Sequence, residues 1–385
     1  MVTPIRFAIT FALACMFVSA SPQLGLGEET LDPAQGQADE QEKVVWYDIR
    51  LLGVEGQGWS DTAAPFDRLP AKAEGVVRPE VWGLSRHSAG LAVRFVTDAT
   101  TIKARWTLTS AQLAMHHMPA TGVSGLDLYV KHEGQWRWLA VGIPRGATTT
   151  ATLVSGIPAG EREYLLYLPL YNGVKSVEIG VSPDLRLKKA PARPEARRRP
   201  LVFYGTSITQ GGCASRPGMV HTAILGRRLD RPVINLGFSG NGRLEIEVGK
   251  LLAELDPAVY IIDCLPNVSE KEVAERTEPL VRLLREHRPD TPIVLVEDRS
   301  YTDAFLVTSK RQRNLSSRAA FRAAFERLQA AGMTGLYYLP GEDLLGDDGE
   351  GAVDSSHPTD LGFMRQADAF EKVLRPILND TAGAE

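Results

Sequence analysis

The sequence predicts two domains of different class, an antiparallel β-sandwich followed by a three-layer α/β/α domain built on a parallel sheet. Three observations carry this. At 385 residues the chain exceeds one ordinary domain. Its first half alternates short β-rich runs with turn residues, and its second half alternates continuous apolar strands with amphipathic helical stretches.

In the first half, 44–187, the runs Leu91–Val96, Ile102–Leu108, Leu126–Val130, Trp136–Val141, Tyr164–Leu168 and Val177–Val181 alternate or nearly so. Gly, Pro and Asp separate them, as in an antiparallel sandwich. All six tryptophans fall here, at 46, 59, 82, 106, 136 and 138. Trp136 and Trp138 are spaced to share one face of a strand. Such rings either stack on the apolar C–H faces of sugars or fill a sandwich core.

From Leu201 the pattern changes. Leu201–Tyr204, Val233–Leu236, Val259–Ile262 and Ile293–Val296 are short, mainly apolar strands. Between and after them, Glu247–Leu255, Val273–His287 and Ser317–Ala331 carry helical periodicity. Continuous apolar strands alternating with helices mean a parallel sheet covered on both faces. The stretch 188–200 holds prolines at 191, 194 and 200 among basic residues, and is expected as a solvated linker.

The N-terminus reads as an export signal over 1–20. Arg6 precedes the apolar run Phe7–Val18, and Val18-Ser19-Ala20 places small residues for cleavage. The run is too short for a stable bilayer span, and no other reaches about 18 apolar residues. Residues 21–43, rich in Gly, Gln, Glu and Asp, are expected as a flexible tether. A formal charge of −4 gives no reason to expect a nucleic-acid partner.

Four segments of the second half carry chemistry. Ser207 stands where an apolar strand gives way to the turn Gly205-Thr-Ser207-Ile-Thr-Gln-Gly211. Reactive groups of parallel sheets gather at such carboxyl ends. After the second strand, Asn235-Leu-Gly-Phe-Ser-Gly240 offers a backbone N–H that a ligand can approach closely. After the third, Asp263-Cys-Leu-Pro-Asn267 places a side-chain amide at the same edge. Near the C-terminus, Asp354-Ser-Ser-His357 sets an acid three residues before an imidazole, which suits a base and its orienting group.

These blocks, in this order, resemble those of the SGNH (GDSL-type) hydrolases over Leu201 to about Leu378. The resemblance implies a flavodoxin-like α/β/α domain and an ester hydrolase with no cofactor or metal. It implies Ser207 as nucleophile, His357 as base and Asp354 as its orienting acid. The Ser207 and Gly240 N–H groups and the Asn267 amide would form the oxyanion hole. Gly-Thr-Ser-Ile stands where the eponymous motif has Gly-Asp-Ser-Leu, and Cys-Leu-Pro-Asn replaces the usual Gly-x-Asn. The first half is similar to the jelly-roll-like sandwich of a secreted subfamily, itself similar to carbohydrate-binding modules. The expected substrate is therefore an acylated small molecule or polysaccharide, acted on by an exported acetyl esterase. An acyltransferase, a lipase-like esterase or a carbohydrate-binding protein with a vestigial hydrolase half are the alternatives. Oligomeric state is not legible.

Other candidates are secondary. Arg86, His87 and the loop from Met115 to Gly125 are placed to complete the cleft from the side. Cys213 and Cys264 border the same cleft, either as a disulfide or as two buried thiols. His116-His117 lacks companions at metal-ligand spacing. The polar stretch from Asp298 to Arg313 is expected as a loop over the cleft.

Overall fold

The computed structural model describes residues 29–382, so the export signal at 1–20 lies outside the described residues. The first half is a sandwich of two antiparallel sheets. One runs in the order Gln37–Asp39, Val44–Asp48, Val174–Val181, Thr101–Leu108, Thr148–Ser155. The other runs Leu187–Lys189, Ala92–Thr97, Arg162–Tyr167, Leu126–His132, Gln135–Gly142, with Val54–Glu55 added beside Ala92–Thr97. Alternation along Thr101–Leu108 drives Ile102, Ala104, Trp106 and Leu108 into the space between the sheets, against Phe95, Leu128, Tyr164 and Val177.

The second half has five parallel strands in the order Val233–Gly237, Leu201–Gly205, Val259–Asp263, Ile293–Val296, Leu336–Leu339. Leu201 and Phe203 face the helices His221–Leu229 and Asp360–Ala382, whereas Val202 and Tyr204 face Ile246–Leu252, Glu270–His287 and Thr308–Ala330. Both faces are therefore covered, which is why these strands carry no polar alternation. The order reverses beside Leu201–Gly205, and the carboxyl end of that strand is the switch-point position where open α/β sheets bind ligands.

Two sequence expectations need correction. Residues 29–43 are not a free tether, since Thr30 bridges Lys188 and Gln37–Asp39 pairs with Val44–Trp46. Nor is 188–200 a solvated linker. Leu187–Lys189 joins the second sheet, and Arg193 is ion-paired to Glu55 at 2.8 Å and to Asp230 at 3.4 Å. Composition marks both segments as polar but cannot report that strand edges and acidic partners await them.

The halves are fused by residues 56–90, which leave the sandwich, cover the open edge of the parallel sheet and return. Leu69, Ala73, Val77 and Val81 from this excursion belong to the same core as Ile234 and Leu236. Buried Arg68 spends its guanidinium on four backbone carbonyls: His87 O (2.9 Å), Leu84 O (2.6 Å), Asn235 O (3.0 Å) and Gly237 O (2.8 Å). The last two belong to the edge strand, whose outward carbonyls would otherwise be unpaired. At Gly90 a Cβ would fall 2.4 Å from that of Asn235, so only glycine lets the backbone pass this closely.

Candidate active site

Ser207 opens a single helical turn, Ser207–Gln210, directly after the strand Leu201–Gly205. Thr206 caps it, its hydroxyl accepting from Ile208 N at 3.3 Å, and Gly211 ends it at φ 116°. As the first helical residue, Ser207 has a backbone N–H with no helical acceptor. Its Oγ lies 2.7 Å from His357 Nε2.

The ring of His357 is oriented by local sequence. Asp354 Oδ1 accepts from the N–H groups of Ser356 (3.2 Å) and His357 (2.8 Å), closing a tight turn in which Ser355 has φ +71°. Asp354 Oδ2 then accepts from His357 Nδ1 at 2.7 Å. With the proton held on Nδ1, Nε2 is left as an acceptor toward the Ser207 hydroxyl. Partial burial pushes the Asp354 carboxyl up, but the His357 backbone and ring hydrogen bonds outweigh it and hold the group below its ordinary value. The arrangement can move a proton from Ser207 to His357 and stabilise the resulting imidazolium.

The three donors assigned to an oxyanion from the sequence have no acceptor among the described residues, and all follow the carboxyl ends of adjacent parallel strands. One is the Ser207 N–H. The second is the N–H of Gly240, whose φ of +70° bends the loop after Val233–Gly237. The third is Asn267 Nδ2, which is buried and unpaired. An unpaired buried donor is costly in a resting protein, and it is what an anionic oxygen would complete.

The N-terminal half reaches this site through residues that sequence reasoning only partly found. Tyr171 donates to Ser207 O at 3.2 Å. His87 meets Gln210 Nε2 through Nδ1 at 3.0 Å. The Met115–Met118 turn brings the His117 ring to 6.0 Å from that of His357. A cleft of about 550 Å³ beside the site is lined by polar Glu80, His87, Ser110, Gln112, Ser239 and Asn241, together with Leu84, Met115 and Tyr171. Gln210 was visible in the turn after Ser207, but nothing local in Tyr171-Asn172-Gly173 announces a contact 36 residues away.

Other candidates sit elsewhere. Arg86 is engaged by Asp67 at 3.0 Å and lies over Trp82, away from the cleft lining. Trp136 and Trp138 face the hydrolase half instead of the cleft. Trp136 packs with Tyr129, Tyr167 and Ala223, while Trp138 donates to Asp127 at 3.0 Å beneath Arg216. Cys213 and Cys264 are both free and buried, so the disulfide alternative is corrected. Cys264 points into the helix-covered core, its Sγ 3.5 Å from Tyr204 O, whereas Cys213 lies near Asp354. The stretch 298–313 is only in part a loop. Thr308 already begins a helix, and Thr302 N and Lys310 Nζ bind Ser355 in the Asp354–His357 turn at 3.0 and 2.7 Å. Among the described residues no three His, Cys, Asp or Glu side chains converge as a metal site, and no helix is long and apolar enough to cross a membrane.

The GDSL-like lipase/acylhydrolase family profile matches residues 198–375, and the profile of the N-terminus of SGNH-hydrolase-type esterases matches 44–187. No curated protein matches the chain. Among solved structures, a protein described as a GDSL-like lipase from Bacteroides ovatus is 37% identical, with 87% of this chain and 98% of that one covered and a TM-score of 0.83. A salicylyl-acyltransferase from a tetracycline biosynthetic pathway shares the fold at 18% identity, over 91% and 97% of the two chains and with a TM-score of 0.66. So does an acetyl xylan esterase from the rumen bacterium Butyrivibrio proteoclasticus, at 12% identity, 87% and 99% coverage and a TM-score of 0.52. With both halves matched and the B. ovatus protein this similar along nearly its full length, the chain belongs to the GDSL-like lipase/acylhydrolase (SGNH) family and is an ester-bond hydrolase.

Proposed function

We propose that the protein is an exported serine esterase that removes short acyl groups, acetyl foremost, from carbohydrate. The single observation behind the mechanism is the continuous hydrogen-bonded series Asp354–His357–Ser207. His357 Nε2 takes the Ser207 proton as Oγ attacks the ester carbonyl. The Ser207 and Gly240 N–H groups and the Asn267 amide stabilise the oxyanion, each such donor contributing on the order of 3 kcal/mol. His357 then protonates the leaving alcohol, and water opens the acyl-enzyme by the same steps in reverse.

The substrate class rests on the cleft. Its Glu80, Ser110, Gln112 and Asn241 side chains suit a hydroxyl-rich alcohol better than a long acyl chain. The shared fold with an acetyl xylan esterase is consistent with this reading. Export is supported by Arg6, the apolar run Phe7–Val18 and Val18-Ser19-Ala20.

The test is acetate release from a panel of acetylated polysaccharides, beside p-nitrophenyl esters of increasing chain length, with Ser207→Ala as control. Acetate release from a polysaccharide, preference for acetyl and loss of nearly all turnover in Ser207→Ala are expected. Preference for long chains, or turnover only with an added acceptor alcohol, would replace the reading by a lipase-like enzyme or a transferase. Activity of Ser207→Ala within tenfold of the parent would overturn the nucleophile.

A further inference from the structure

The loop Phe238–Asn241, which carries Gly240, is gripped on both sides by the excursion 56–90 of the N-terminal half. On the upstream side, Arg68 binds Gly237 O at 2.8 Å, and its guanidinium lies 5.1 Å from the centroid of the Phe238 ring. At the centre, Ser239 N donates to Gln210 Oε1 at 3.0 Å. Gln210 is fully buried, and its amide nitrogen is shared between Leu170 O at 3.1 Å and His87 Nδ1 at 3.0 Å. On the downstream side, Arg78 donates to Asn241 Oδ1 at 2.8 Å and to Asn241 O at 3.1 Å, and is itself anchored by Glu245. Asn241 Nδ2 closes the loop on Ser239 O at 2.9 Å.

The chemistry of these contacts fixes their direction. Ser239 N–H can only donate, so the facing amide atom of Gln210 must be its oxygen. Nε2 then points at His87, whose Nδ1 must be the acceptor, which places the His87 proton on Nε2. Burial, with Arg68 nearby, pulls the His87 pKa down to about 4 and keeps the ring neutral. A protonated His87 would oppose N–H to N–H and release Gln210.

We propose that His87, acting through Gln210, and Arg78, acting through Asn241, are positioning residues that aim the Gly240 N–H at the oxyanion. The inference rests on the esterase reading above. It makes the N-terminal half a working part of the oxyanion hole in addition to any role in binding. Neither residue touches the reacting atoms. Their effect falls on the transition state, because a backbone donor contributes only when held at hydrogen-bond distance from the developing charge.

The experiment uses the full chain and the variants His87→Leu, His87→Asn, Arg78→Met and Arg78→Lys, each checked by thermal melting. Steady-state hydrolysis of p-nitrophenyl acetate is measured together with inhibition by a trifluoromethyl ketone, which forms a tetrahedral adduct, and by the corresponding simple ketone, which mimics the ground state. His87→Leu and Arg78→Met are expected to lower kcat at least tenfold with KM within about threefold. They should weaken the trifluoromethyl ketone by a similar factor and leave the simple ketone unchanged. His87→Asn, which keeps an acceptor opposite Gln210, should recover kcat to within about threefold of the parent.

A folded His87→Leu and Arg78→Met pair with kcat within twofold would overturn the proposal, while the esterase reading would stand as long as Ser207→Ala is inactive. A rise in KM with kcat unchanged would also overturn it, making these residues substrate contacts. If the leucine and methionine variants fail to fold, the conservative pair decides. Loss of tetrahedral-adduct affinity in Arg78→Lys, whose single ammonium cannot hold both Asn241 acceptors, supports the proposal, and parent-like affinity refutes it. Absence of any Ser207-dependent hydrolysis in the parent would instead remove the esterase reading itself.

Discussion

Replacing Asn267 by alanine should damage catalysis without damaging the fold, and the structure fixes the size of both effects. In the resting protein Asn267 Nδ2 is buried with no acceptor among the described residues, although the Asn267 backbone N–H is satisfied by Cys264 O at 3.1 Å. A buried donor left unmade costs about 1–3 kcal/mol. Alanine removes that donor and a little packing, so stability should stay level or rise by up to about 2 kcal/mol. On the proposed mechanism the same amide meets the oxyanion in the transition state, and deleting one such donor lowers kcat by about 100- to 1000-fold, or roughly 3–4 kcal/mol. Turnover of p-nitrophenyl acetate and urea unfolding, measured on one preparation, report the two terms. A kcat within tenfold of the parent would remove Asn267 from the oxyanion hole. A loss of stability beyond about 1 kcal/mol would make it a structural amide whose loss reaches activity indirectly.

Arg68→Met should cost at least about 3 kcal/mol in denaturant unfolding, because four buried carbonyls lose a charged donor together; a cost below 1 kcal/mol would mean that water replaces the guanidinium. His87 gives the protein an acid-sensitive term. Its folded pKa of about 4 lies below the value of 6.5 expected in the unfolded chain, so the unfolded state binds the proton first. Stability from this group is therefore present above pH 6.5, falls by up to about 3 kcal/mol toward pH 4, and is flat below. Unfolding of the parent and His87→Asn across that window should converge as pH falls, and parallel curves would refute the assignment. Thiol titration should find Cys213 and Cys264 unreactive in the folded protein and both reactive after unfolding without reductant, whereas only an unreactive pair after unfolding would restore the disulfide.

Much of this architecture is legible in sequence because strong local patterns coincide with tertiary roles. Leu201–Tyr204 and Val259–Ile262 read as buried parallel strands from their unbroken apolar content, and they are. Thr101–Leu108 reads as a half-buried strand from its alternation, and its burial alternates in step. The strand Thr148–Ser155 was missed because it is a threonine-rich edge strand with several exposed positions, and Leu336–Leu339 because four residues carry little periodic signal. Ser207, His357 and Asp354 stood out because their spacing is tied to turns and strand ends. The residues around them did not, since Arg68 and Tyr171 act on backbone carbonyls, which leave no mark in the partner sequence. Cys213 and Cys264 show the converse error. Both lie near one sheet edge, but position along a strand does not tell which face a side chain takes, and Cys264 takes the core face.

The way residues 56–90 seal the strand Val233–Gly237 bears on how the chain can be made. During synthesis the excursion emerges from the ribosome well before the strand it covers, so a waiting lid meets each new sheet edge as it appears. A hydrolase half begun at Leu201 would be born with that edge bare, its outward carbonyls open to any neighbouring chain. Such a fragment should collect in inclusion bodies and be rescued by supplying 29–200 in trans during refolding. The sandwich would then serve its partner twice, first as a folding template and afterwards as a permanent wall.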